Sequence, residues 1–313
     1  MKIKIGLFVG YDGSNYYGAQ FQKEERLDSI MRAIINTLLK YYCIKESNST
    51  DPKKIGMKCT SRTDKGVHAL LNVFQCKVER NILVDKELYN NIKEDLGKKN
   101  IYLYKVVKIT KSWLGHKSVS TRIYNYFIPV DVLNNEIKKF KTVFDKFKGR
   151  HSFHNFTDVS KVKVDFYRNI VAIDYSEVNY KNRKYLKINL TGNSFILHQI
   201  RKMVGTAICL TINSSISVID SIFTDMFLPD KIYHTPLAPS EYLLLCDINF
   251  FTNSFKNTNN DIIQLEITNE EKLKFFDEFL ADKIFNESNN KKWNEFFENF
   301  NKFKRFDYLR NLI

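Results

Sequence analysis

Within S61-R-T-D-K-G-V-H-A69 an arginine, an aspartate, a lysine and a histidine crowd a short connection between two apolar segments. Asp64 followed by Lys65-Gly66 has turn chemistry, because Asp bonds its own backbone and Gly accepts a positive φ. Arg62 and Lys65 would also keep the Asp64 carboxylate ionised, as a nucleophile or general base requires. Spacing alone does not choose between a charged turn and a catalyst. A second cluster, H198-Q-I-R-K202, follows S194-F-I-L. On a helical period Leu197, Ile200 and Val204 face the core and Arg201 lies to the side, within reach of a cleft; the alternative is a solvated basic face. In R122-I-Y-N-Y-F-I128, strand alternation puts Arg122, Tyr124 and Tyr126 on one face. That pattern suits base stacking beside a phosphate contact, and equally suits ordinary sheet packing. G149-R-H-S-F-H-N-F156 interleaves Arg150, His151 and His154 with phenylalanines, which fits RNA contact or core burial.

Other chemistries lack their signatures. Five cysteines are scattered without a C-x-x-C pair, and His151 and His154 have no clustered third or fourth ligand, so neither a disulfide framework nor a metal is expected. No G-x-x-x-x-G-K-[ST] or strand-following G-x-G-x-x-G occurs, so no nucleotide cofactor is expected. No apolar run is long enough for a membrane helix, and M1-K-I-K-I-G-L-F-V-G10 reads as a first strand rather than a signal peptide. An intracellular protein is expected. The net charge of +14 is uneven: residues from Phe251 onward hold 10 Lys/Arg against 11 Asp/Glu, which leaves 39 against 24, or +15, in the first 250. A polyanion is the natural partner for such a body, although nucleotide bias in a Lys/Asn/Ile-rich genome gives the same composition.

The elements that must position these residues follow from periodicity. Leu27, Ile30, Met31, Ile34, Ile35, Leu38 and Leu39 form a helical stripe, and Leu71 to Val78 and Ile101 to Ile109 read as strands. Arg122 to Ile128 is a strand ended by Pro129. A helix follows through Leu133, Ile137, Phe140 and Phe144, with Gly149 as its C′ residue. Asn169 to Glu177 and Tyr185 to Leu190 form a hairpin, Phe195 to about Leu210 a third helix, and Leu243 to Phe250 a last strand. The order predicts an α+β fold of two similar halves, 1–110 and 111–250, with antiparallel sheets. After a linker, N253-S-F-K-N-T-N-N260, helical segments Glu270 to Phe285 and Lys291 to Phe303 make 251–313 an extension packed on the body.

Taken in order, six segments resemble the TruA-type tRNA pseudouridine synthase family, in its eukaryotic branch. They are Y11-D-G-S-N-Y-Y-G-A-Q20, S61-R-T-D-K-G-V-H-A69, R122-I-Y-N-Y126, G149-R-H-S-F-H-N-F156, G192-N-S-F-I-L-H-Q-I-R-K-M-V-G205 and A238-P-S-E-Y-L-L-L245. The resemblance implies two α+β halves sharing a continuous antiparallel sheet across a basic cleft. It implies isomerisation of uridine to pseudouridine in tRNA, without metal or cofactor. Asp64 is then the catalytic aspartate, Tyr124 stacks on the flipped uracil and Arg201 pairs with the carboxylate. Arg62 lies beside the target nucleotide, and Leu243 and Leu245 form an apolar wall. Arg122, His154, His198 and Lys202 are further candidates for RNA contact. A monomer rather than a homodimer, and the nucleus rather than the cytoplasm, follow from the same branch. The rival is an RNA-binding protein that kept the scaffold and lost catalysis. Two positions depart from the family pattern: Ser61 stands for Gly or Ala, and Tyr242 for Gly, which changes that side of the pocket.

Overall fold

A computed structural model describes residues 2–24, 26–110, 113, 115–158, 165–251 and 267–309. The chain runs β1 (Ile3–Tyr11), α1 (Ile30–Lys40), β2 (Lys58–Cys59), β3 (His68–Val78), α2 (Lys86–Gly97), β4 (Ile101–Lys108) and β5 (Val119–Pro129). Then come α3 (Ile137–Phe144), β6 (Gly149–Ser152), β7 (Tyr167–Tyr180), β8 (Arg183–Gly192), α4 (Gln199–Asn213), α5 (Ile216–Phe227) and β9 (Leu243–Phe250). The last elements are α6 (Asn269–Phe275), α7 (Ala281–Ile284) and α8 (Asn290–Lys302). Helices and a large, mostly antiparallel sheet make the fold α+β, as expected. The expected linker segment at 253–260 lies outside the described residues.

The chain divides into two compact units, one of 1–122 with 244–283 and the other of 123–243 with 284–313. In the first unit the strand order is β4-β1-β3-β9, with β2 beside β3. Its pairings are antiparallel except the short parallel register of His68 with Leu244 and Ala69 with Leu245. β1 is buried from Ile5 to Tyr11, because both of its faces are covered. Helix α2 packs on β4 and α1 on α2, joined by Asp95, which accepts from Thr37 Oγ1 at 2.7 Å and Lys99 Nζ at 2.6 Å. At the strand's C-terminal end Phe275 of α6 lies over Gly10, where a Cβ would meet the ring at 2.5 Å. The same ring packs on Tyr102 at 5.2 Å and Tyr104 at 6.1 Å.

In the second unit the order is β5-β8-β7-β6. The β7–β8 hairpin turns on Lys181 and Asn182 alone, with Lys181 left-handed at φ 51°. Helix α3 packs on α4 and α5, and Phe147 centres an aromatic core with Phe144, Phe156 and Phe223 at 5.4, 5.1 and 4.9 Å. The C-terminal segment docks here: Phe285 stacks on Tyr180 at 4.6 Å and meets Phe127 edge-on at 5.0 Å.

Some boundaries differ from the periodic pattern. Leu27 precedes α1, whose true start is fixed by Ser29 accepting from Arg32 N. Leu133 sits in a 3-10 turn before α3, and a second 3-10 turn carries the chain on to Gly149, left-handed at φ 103°. The third helix begins at Gln199 rather than Phe195, because His198 is left-handed at φ 66° and cannot lie within a helix. Leu197, expected in the core, is consequently 48% exposed. Helices α2 and α5 had no expectation; α2 buries only Leu88, Ile92, Asp95 and Leu96, a stripe too narrow to stand out.

Candidate active site

Asp64 opens a tight turn. Val67 N donates to Asp64 O at 3.2 Å, and Gly66 takes φ 80°, the positive φ that the third turn residue needs when the turn is of type II. The turn is embedded in the segment after β1. Tyr11 Oη meets Thr63 Oγ1 at 2.9 Å, Ala19 N donates to Thr63 O at 3.1 Å and Gly66 N donates to Tyr16 O at 3.2 Å. Two glycines make this wrapping possible. A Cβ on Gly13 would stand 2.1 Å from Val67 O, and one on Gly18, at φ 91°, would stand 2.4 Å from Thr63 O. Tyr11 to Gln20 and Ser61 to Ala69 are therefore one built object.

Buried polar groups fix the base of this object. Asn72, fully buried in β3, accepts from Ser61 N at 3.2 Å and Thr60 Oγ1 at 2.8 Å. It donates to Ser61 O at 2.8 Å and Tyr11 Oη at 3.2 Å. At the other flank, His68 Nδ1 lies 3.1 Å from Asp12 Oδ1 and 3.2 Å from Gly13 N. Burial pushes the Asp12 carboxyl up, but contacts from His68 and Ser14 outweigh it and bring it down from 3.8 to about 2. Against this frame Asp64 is half-buried, while Arg62 and Lys65 are exposed; the Lys65 ammonium sits 4.2 Å from the Tyr17 ring centre. Nearby, Arg122 is only 9% exposed and donates to Thr60 O at 2.9 Å. His116 is pushed down by burial first and then by Arg62, Lys58, Arg122 and Lys117, so this side of the unit carries a positive field.

The second unit holds Tyr124, Arg201, His154, His198, Lys202 and Leu243. Tyr124 is buried edge-on against Phe195 at 5.2 Å, and Tyr126 Oη donates to Pro239 O at 2.7 Å. Arg201 is half-buried on the first turn of α4. Its Nε donates to Ala238 O at 2.7 Å, and Ala238 N returns a bond to Arg201 O at 3.2 Å, so the Ala238-Pro239 segment and the helix hold each other. His198 and Lys202 both turn to Asp158, whose carboxylate meets Nδ1 at 2.5 Å and Nζ at 2.7 Å. Lys202 is 7% exposed, so its charge is spent within the protein. His154 is likewise engaged at both ring nitrogens, by Ser152 Oγ at 2.9 Å and Lys231 O at 2.8 Å. His151 stacks on Phe227 at 4.1 Å, and among the described residues no group of three His, Cys, Asp or Glu is placed to hold a metal.

Leu243 and Leu245 are both buried, and Leu245 lies in the first unit, paired with Ala69 beside the Asp64 turn. Tyr242 is fully buried against Trp293 of α8, at 5.5 Å between ring centres. The Tyr242 side chain thus turns inward against the C-terminal helix. Sequence reading did not single out Asn72 or Asp158, and held Tyr11 and Asp12 only as the first residues of the segment Y11-D-G-S-N-Y-Y-G-A-Q20. A polar residue in the middle of an apolar strand was the available signal for Asn72.

Residues 143–250 match the family model described as tRNA pseudouridine synthase. The tRNA pseudouridine synthase A of Phytoplasma mali is 31% identical over 211 residues, covering 64% of this chain and 80% of that protein. The tRNA pseudouridine synthase 1 of Candida albicans is 25% identical, across 91% of this chain and 63% of its own length. The mouse pseudouridylate synthase 1 homolog is 27% identical, across 67% of this chain and 52% of its own length. The chain thus spans between half and two thirds of the length of these last two relatives.

Proposed function

Because this chain belongs to the tRNA pseudouridine synthase family, we propose that it isomerises uridine to pseudouridine in tRNA. The observation that carries the reading is the Asp64 turn, whose two flanks are pinned by buried bonds while Asp64 itself stays half-buried between exposed cations. A reacting carboxylate needs that combination: a fixed direction and access to substrate.

The reaction breaks the N1–C1′ bond of uridine, turns the uracil and joins C5 to C1′; C5 gives up a proton and N1 gains one. No oxidation or group donor is involved. The uridine leaves its stack at a cost of a few kcal/mol, and stacking on Tyr124 offsets about 1–3 kcal/mol of it. Asp64 acts at the sugar, by attack on C1′ or by removal of the C2′ proton. Arg201 supplies the cation that pairs with this carboxylate, and its tie to Ala238 O sets the direction of its guanidinium. Arg62, exposed beside Asp64, takes the place of the extruded base or holds its phosphate. Leu243 and Leu245 give the uracil an apolar wall. The reading of an RNA-binding protein without catalysis has no observation in its favour, since Asp64, Tyr124 and Arg201 are all present. Incubating the protein with unmodified tRNA transcripts and mapping pseudouridine chemically tests the proposal: conversion at discrete uridines is expected, and binding without conversion would refute it.

A further inference from the structure

We propose that Tyr11 and Asn72 are positioning residues for Asp64, acting through one buried hydrogen-bond relay; this rests on the activity proposed above. Neither side chain reaches solvent. Asn72 grips the Ser61 peptide from both sides, taking its N–H at 3.2 Å and giving to its carbonyl at 2.8 Å. Such a two-point hold fixes the backbone direction just before Arg62. The second Asn72 amide proton goes to Tyr11 Oη at 3.2 Å, and Tyr11 Oη meets Thr63 Oγ1 at 2.9 Å. The relay therefore touches the chain on both sides of Arg62 and stops one residue short of Asp64. Its two roots are central strands: Tyr11 ends β1 and Asn72 lies within β3, and these strands pair with each other.

The chemistry explains why these residue types are needed. An apolar residue at position 72 would remove the bonds that Asn72 makes to Ser61 N and Ser61 O, and an aspartate would keep the acceptor while losing both donated bonds. A phenylalanine at position 11 would keep the ring and remove the hydroxyl that links Asn72 and Thr63. Positioning predicts a loss in the chemical step, because a misdirected carboxylate costs rate even when substrate still binds.

The test compares Tyr11→Phe with Tyr104→Phe, a second buried tyrosine of the same unit whose hydroxyl has no hydrogen-bond partner among the described residues. Two readouts are taken on folded protein: single-turnover pseudouridine formation in a tRNA transcript, and amide hydrogen exchange of the 61–67 segment. Tyr11→Phe is expected to lower the rate about 10- to 100-fold with unchanged KM, and to speed exchange in 61–67; Tyr104→Phe should match the wild type in both. Asn72→Asp should follow Tyr11→Phe. Wild-type rate or wild-type exchange in Tyr11→Phe overturns the relay. A wild-type protein that forms no pseudouridine overturns the activity instead, and the exchange comparison then decides the relay by itself.

Discussion

Asp12 offers a residue-scale test that is independent of RNA. Its carboxyl is held at about 2 in the fold against 3.8 ordinarily. A folded value below the unfolded one means that the stabilisation is present above pH 4 and is lost as pH falls toward 2. The difference is worth about 2.5 kcal/mol. Urea unfolding of wild type and Asp12→Asn should differ by roughly that amount at pH 6 and converge near pH 2; a gap that persists at pH 2 would remove His68 and Ser14 as the cause. Tyr124 gives the second test at this scale. Tyr124→Phe keeps a stacking face and should retain most activity, whereas Tyr124→Ala should lose about 1–3 kcal/mol of base stacking, read as a rate or affinity loss in single turnover. Equal losses in the two variants would argue against stacking. The turn itself was legible: Asp-Lys-Gly announces a turn, and Gly66 takes the positive φ that it needs. What gives the turn its direction was not legible, because Asn72 and Tyr11 sit in strands whose pattern speaks only of burial, and their partners lie 11 and 52 residues away in the chain.

At the scale of elements, α8 packs on the rest of the second unit through one large ring. Trp293 packs on Tyr242 at 5.5 Å and on Tyr126 at 6.5 Å, and Tyr126 shares a strand face with Tyr124. Removing so large a buried ring should cost about 3–5 kcal/mol, measured by urea denaturation of Trp293→Ala. Tyr242→Gly, which removes the facing ring, should also destabilise. The double variant should cost less than the sum, because each ring is the other's wall; strict additivity would show that the two do not act together. The strands and α1 were readable from their periods because packing reinforces the pattern there. The start of α4 was misplaced because the left-handed backbone at His198 is a tertiary choice, made where its ring meets Asp158. His198 and Lys202 both meet that same carboxylate, a partner 40 residues away from His198.

For the whole molecule, the surplus of positive charge lies before Phe251. If that charge meets RNA phosphates, affinity for a tRNA transcript should fall at least tenfold between 50 and 200 mM salt, since each neutralised phosphate adds to the slope. A flat salt dependence, measured by filter binding or fluorescence anisotropy, would detach the charge from RNA recognition. Asp64 is the residue proposed to perform the chemistry on uridine. Its most direct test is single-turnover conversion of uridine to pseudouridine in one tRNA transcript, by the wild type and by Asp64→Asn, with binding measured in parallel. The expected result is conversion by the wild type, none by Asp64→Asn, and affinities within about threefold of each other, because the asparagine preserves the shape of the turn while removing the carboxylate. Substantial turnover by Asp64→Asn would show that the Asp64 carboxylate is not the reacting group.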